Sequence, residues 1–171
     1  KNTDLTPEAS KSTIKGAPEW YLNTPSKDGY IIVPSSATSQ DMQLAVNKAT
    51  LDASNTLASM IRSEMNALVK RVREETGQED DSELLDRFSQ VQEQVVATTL
   101  EDWEESKKAI QREKNRKGKD IYRAYILIEW DEGAAQKRFL NKIKSEKEIF
   151  DAIKATELYE EMEDKVEKYR E

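Results

Sequence analysis

The chain contains neither cysteine nor histidine among its 171 residues. The first absence excludes disulfides, thiolate nucleophiles and cysteine-ligated zinc; the second excludes an imidazole general base and a histidine pH switch. Neither fixes a redox compartment, because an oxidising compartment also holds proteins without disulfides. Glycine is scarce. Gly16, Gly29, Gly77, Gly118 and Gly133 stand alone, and no GxGxxG, P-loop lysine or GxSxG motif occurs. No apolar run approaches the roughly 20 residues that span a bilayer.

Charge is what the chain has in abundance. Charged residues and hydrophobic residues each make up 36% of it, so the core is modest and much of the surface is solvated helix. The length suits one domain with extensions. A net charge of −7 does not suit a general nucleic-acid binder. Acidic pairs such as Glu79-Asp80-Asp81, Glu101-Asp102 and Glu104-Glu105 lie in polar surroundings. They lack the partly buried setting that raises one carboxyl for acid catalysis. Asp80, Asp81 and Glu83 do not follow the Asp-x-Asp-x-Asp-Gly order of a calcium loop. No side chain is nominated as catalytic, and no metal or cofactor is expected.

Residues 1–29 read as a polar, extended arm. Its exception is Pro18-Glu19-Trp20-Tyr21-Leu22, an apolar cluster that predicts docking, on its own domain before a partner. Tyr30-Ile31-Ile32-Val33 predicts a short strand ended by Pro34. Thr38 or Ser39 is placed to cap a helix from about Gln40 to Glu75, with Ala45, Ala49 and Ala53 as a row for close packing. Gly77 closes it. An acidic loop follows, and Ser82 caps a second amphipathic helix to about Val96. From Thr98 to Trp130 the pattern predicts a long hairpin turning at 114–120. On its return strand Tyr122, Ala124, Ile126, Ile128 and Trp130 share one face, and Ile121, Tyr125 and Leu127 the other. That second face is too apolar to be left to water.

From Ala134 to Glu171 the pattern is helical, with a bend near Ser145. Ile149, Ile153, Tyr159, Met162, Val166 and Tyr169 recur at spacings that fit an a/d seam seeking a helical partner. The expected fold class is α+β: a small antiparallel sheet on a long alanine-rich helix and a second helix. The expected organisation is an arm (1–29), a core domain (30–131) and a charged helical extension (132–171).

One charge cluster is sharper than the rest. Lys107, Lys108, Arg112, Lys114, Arg116, Lys117 and Lys119 gather at the hairpin end of an acidic protein. Three readings stay open: a solvated loop, a contact with acidic segments of a neighbouring subunit (79–86 or 157–164), or a contact with phosphates. The last is weakened because no aromatic residues interleave to stack on bases.

The order of these pieces resembles a known family. Pro18-x-Trp20 precedes a strand, then comes the alanine-rich helix entered as SSATSQDMQLAVNKATLDASNTLASMI, then a polar helix, then a return strand reading Ile121-Tyr122-Arg123-Ala124-Tyr125-Ile126-Leu127-Ile128. Over roughly residues 18–131 this is similar to the small bacterial outer-membrane lipoproteins grouped with FlgP, the flagellar basal-disk lipoprotein. The resemblance implies a compact α+β domain held at the periplasmic face of the outer membrane by an N-terminal lipid, and assembly into rings around a flagellar motor. The positions it carries over are packing positions: Pro18, Trp20, the Ala45/Ala49/Ala53 row and Tyr122–Ile128. It implies no catalytic residue. The sequence opens on Lys1 rather than methionine, as a trimmed chain or one relieved of a targeting peptide would.

The leading expectation is a non-catalytic, homo-oligomeric ring or envelope subunit. Its contacts are assigned to Trp20 and Tyr21, to Ile121, Tyr125 and Leu127, and to the a/d residues of the tail. Lys114, Arg116, Lys117 and Lys119 are expected to contribute electrostatically. The alternatives are a monomeric adaptor offering its last helix to another protein, a viral or other assembly subunit built on the same domain, and a nucleic-acid-binding accessory that uses the hairpin turn.

Overall fold

The fold is built around one long helix. A computed structural model describes residues 16–77 and 82–169. The arm before residue 16, the acidic segment 78–81 and residues 170–171 lie outside them. The elements are α1 (Glu19–Leu22), β1 (Tyr30–Ser39), α2 (Met42–Thr76), α3 (Glu83–Leu100), β2 (Glu104–Lys114), β3 (Asp120–Asp131), α4 (Glu132–Ser145), α5 (Lys147–Ile153) and α6 (Glu157–Lys168). The fold class is α+β.

The three strands form one antiparallel sheet in the order β1-β3-β2. The most apolar strand is therefore central, and the two more polar ones are edges. This arrangement corrects the expected end of β1. The strand runs through Pro34, which pairs with Leu127, and continues to Ser39 opposite Tyr122. On an edge strand proline need not donate to a ladder, so it does not stop the pairing. It also blunts a free edge, as the Lys/Glu sequence of β2 does on the other side.

Helix α2 starts from Asp41 rather than Thr38 or Ser39: the Asp41 carboxylate accepts the Leu44 N–H at 2.7 Å. Ala45, Ala49 and Ala53 are fully buried against the sheet, joined by Leu57 and Ile61. With only methyl groups between, the helix lies close over β1 and β3, on the face carrying Ala124, Ile126, Ile128 and Trp130. Gly77, at φ 67°, ends it.

Helix α3 begins at the expected Ser82 cap but continues to Leu100, so Thr98, Thr99 and Leu100 are helical and the hairpin starts later, at Glu104. The reason is visible at Thr99. Its hydroxyl donates back to the Val95 carbonyl at 2.7 Å, and its own carbonyl accepts the indole N–H of Trp130 at 2.7 Å. That buried bond ties the helix end to the sheet.

The C-terminal segment departs most from expectation. It is three helices, not a continuous seam. Glu146 interrupts the first pair, and Thr156 restarts the chain by accepting the Tyr159 N–H. The breaks let the segment wrap around the far half of α2. There Phe139, Leu140, Ile143, Ile149, Ile153, Leu158 and Tyr159 join Val72, Leu85, Phe88 and Val91 in a second core. The boundary expected at 131/132 thus separates no unit. The helical partner that the charged tail needs is the chain itself.

Candidate functional site

The face of the sheet opposite α2 carries Tyr125 and Leu127, both fully buried. Their cover is the segment before β1. The Tyr21 ring stands against Tyr125, and Gly16 lies on the Gln111 side chain with no room for a Cβ. Beside them Arg123 donates from Nε (2.9 Å) and from a terminal nitrogen (3.4 Å) to the two carboxylate oxygens of Glu113. Trp20 is half-buried in the same segment and Ile121 half-buried on the strand. The arm thus docks on its own domain.

This corrects the assignment of contact residues. Tyr125, Leu127, Ile149, Ile153 and Tyr159 are interior side chains of this fold and present no surface to a neighbour. Tyr21 spends one side of its ring on Tyr125. Met162 and Val166 are half-buried on the edge of the second core. Tyr169 fills a slot made by two glycines: a Cβ on Gly29 (φ 80°) or Gly133 would meet its ring side chain at 3.0–3.1 Å. The shared cause is that periodicity marks which side chains are apolar, without marking which part of the same chain covers them.

The basic cluster, by contrast, lies at the surface. Lys114, Arg116, Lys117 and Lys119 surround a tightly built turn. The Asn115 side-chain oxygen accepts the N–H groups of Lys117 (2.9 Å) and Lys119 (3.0 Å), and Gly118 takes φ 75°. Arg112 and Lys114 both pair with Asp120, whose carboxyl they hold below the usual range, Arg112 first. Segment 107–119 carries seven basic residues against the single acid Glu113.

The acidic counterpart is α6, with six acidic and two basic residues. Its placement is set by α2. Arg71 donates to Glu161 and to Glu75, and the other Glu75 oxygen accepts the Leu158 N–H at 3.0 Å. The two carboxylates, Glu161 first, push the Arg71 pKa further up. The basic turn lies beyond the Ser39–Tyr122 end of the sheet, where α2 begins; α6 runs along the C-terminal half of α2, from Glu75 back to Glu64. About 20–30 helical residues separate the start of α2 from that stretch, or roughly 30–45 Å at 1.5 Å per residue. The molecule is polar from end to end.

A groove of about 330 Å³ opens where the two cores meet, between α2, α3, α4 and α6. Its apolar wall includes Met65, Trp130 and Phe139. Its polar groups are Glu64 and Arg71 of α2, Gln92 of α3, Glu132 and Gln136 of α4, and Lys165 of α6. Gln92 is 5% exposed, and neither its Oε1 nor that of Gln136 accepts a hydrogen bond among the described residues. Gln136 is oriented by its Nε2, which donates to Glu132 at 3.1 Å. The Glu64 carboxyl is raised above its usual range, first by burial and then by Glu132, against the opposing charge of Lys165. None of these residues stood out in the sequence. The signal was Gln92 within the inward row Leu85, Phe88, Val91 and Thr99 of α3.

Among the described residues no three acidic side chains are grouped to hold a metal ion, and no helix is long and apolar enough to cross a membrane. Compared with family models, with curated proteins and with solved structures, the chain matches none of them.

Proposed function

We propose that this chain is a non-catalytic structural subunit that joins copies of itself head to tail, the basic hairpin end of one against the acidic α6 end of the next. The observation that carries this reading is the separation of the two charge clusters to opposite ends of α2. A contact between two different patches of identical chains cannot satisfy both partners at once. It propagates, closing into a ring where the rotation allows and extending as a filament where it does not.

Each end also has an apolar element to desolvate. On the basic end Ile110 is 41% exposed, flanked on the same face of β2 by Lys108 and Arg112, because α2 covers β1 and β3 and leaves β2 open. On the acidic end Met162 and Val166 are half-buried. An apolar centre with a charged rim is the usual anatomy of a protein interface. The charges steer the approach and set the register, and the apolar centre holds. A ring at the periplasmic face of the outer membrane, as the resemblance to FlgP-like lipoproteins implies, is a natural setting for such a subunit. The adaptor reading is less well supported, since of its three anchors Tyr159 is buried in the second core and Met162 and Val166 are half-buried against it.

The test is the mass of the particle in solution. At about 50 mM salt, where charges act beyond 10 Å, the chain should form multimers of the 19.7 kDa protomer; near 1 M salt, with a screening length of about 3 Å, they should dissociate. A monomer at both salt concentrations and high protein concentration would sink the proposal.

A further inference from the structure

We infer that the groove between α2, α3, α4 and α6 is a binding site for a small amine, its apolar body lying along Met65, Trp130 and Phe139 and its ammonium group received by Glu64, Gln92, Glu132 and Gln136. The inference does not depend on how the chain assembles.

Shape comes first. A space of about 330 Å³ at the junction of two cores is of the size and placement common to small-ligand sites. A second recess, of about 110 Å³, shares Leu68, Arg71, Gln136, Phe139 and Lys165 with it and extends the groove along α6 toward Met162.

Polarity then selects the ligand. A buried carbonyl oxygen with no donor is a costly arrangement, and two residues that carry one, Gln92 and Gln136, both border this groove. The Gln136 amide cannot reverse to relieve this, because that would turn its oxygen toward the Glu132 carboxylate that its Nε2 now meets. The missing group is a donor. Two carboxylates at the same place ask for a positively charged one. On the cationic side, Arg71 is already engaged by Glu75 and Glu161, and the Lys165 charge acts on both Glu64 and Glu161. An anionic ligand could be received only by Arg71 and Lys165, whose charges are already shared with Glu75, Glu161 and Glu64. A primary ammonium offers three donors and a full charge, and the apolar wall that includes Met65, Trp130 and Phe139 suits its stem. The Glu64 carboxyl is raised by partial burial and by Glu132 even with the Lys165 charge opposing, so a further positive group beside it is favoured.

The experiment uses the full chain with hexylamine, hexan-1-ol and hexanoate, followed by the side-chain amide resonances of Gln92 and Gln136 and by calorimetry. Hexylamine should shift both resonances and bind at least about tenfold more tightly than either of the others, a difference of ~1.4 kcal/mol. Glu64→Gln and Gln136→Met should each weaken hexylamine about tenfold while leaving hexan-1-ol unchanged. Ala67→Phe, at an exposed position on the groove's rim, should block all three without touching the core. Hexanoate binding as tightly as hexylamine would overturn the assignment of an amine. Hexylamine that shifts neither resonance, or that binds Ala67→Phe unchanged, would show the groove to hold water only and would overturn the site itself.

Discussion

The ring of Tyr21 meets the ring of Tyr125 edge-on, with centroids 4.9 Å apart and planes at 66°. One belongs to a four-residue helix in the arm and the other to the central strand, so this contact closes the face of the sheet that α2 does not cover. Edge-to-face pairs contribute about 0.5–1.5 kcal/mol beyond the area they bury. Tyr21→Ala should therefore destabilise the protein by about 2–3 kcal/mol in all. It should lower the urea midpoint and increase binding of a hydrophobic dye to the uncovered Leu127 face. An unchanged midpoint would mean that the arm leaves the sheet in solution.

The second core makes a different demand. Ile153 is fully buried in the tail, packed among residues from α2, α3 and α4. Ile153→Ala should cost about 2–5 kcal/mol, with the spread set by how far the site collapses. Chemical denaturation should show one transition in which sheet and tail unfold together. A loss below about 0.5 kcal/mol, the level of an ordinary surface change, would mean that the tail is not part of the core. For the same reason, removing residues 145–171 is a poor probe of assembly, because it strips the cover from Val72 and Phe88.

Glu64 supplies a pH signature. Its carboxyl is raised in the folded chain, so the folded state holds that proton more tightly than the unfolded one does. Stability is greatest with Glu64 protonated, below the ordinary glutamate range, and is lost as pH rises from that range through the raised value. Glu64→Gln removes the ionisation. It should stabilise the protein at neutral pH, and the gain should fade in acid, where both side chains are uncharged. Because Glu64 keeps part of its surface in water, the effect is small. Thermal melts of both proteins across the acidic range read it directly. A gain that grew in acid would contradict the assignment.

Much of this architecture is legible in the residues. Alternation along Tyr122–Trp130 marks the two faces of β3, and the alanine row marks the side of α2 that approaches the sheet. Ser82 and Gly77 mark helix ends by chemistry that acts locally. What periodicity could not show is long-range pairing within the chain. Ile149, Ile153 and Tyr159 read as a seam for another helix because an apolar stripe looks alike whether its cover is a neighbour or α2 of the same molecule. Pro34 reads as a strand end because its tolerance depends on lying at a sheet edge. The groove was invisible for a related reason. Glu64, Gln92 and Gln136 come from three helices, and only their convergence distinguishes them from other solvated polar residues.

The basic turn at Lys114–Lys119 and the acidic outer face of α6 stand at opposite ends of one molecule, and a mixing experiment follows. Two variants are made, one with Lys114→Glu, Lys117→Glu and Lys119→Glu, the other with Glu157→Lys, Glu160→Lys and Asp164→Lys. Each alone should be a monomer in sedimentation at low salt, because each has lost one end. Mixed in equal amounts they should assemble again into alternating multimers, because the intact turn of the second fits the intact α6 of the first and the two reversed ends match each other as well. Multimers from either variant alone, or a mixture that stays monomeric, would contradict head-to-tail association.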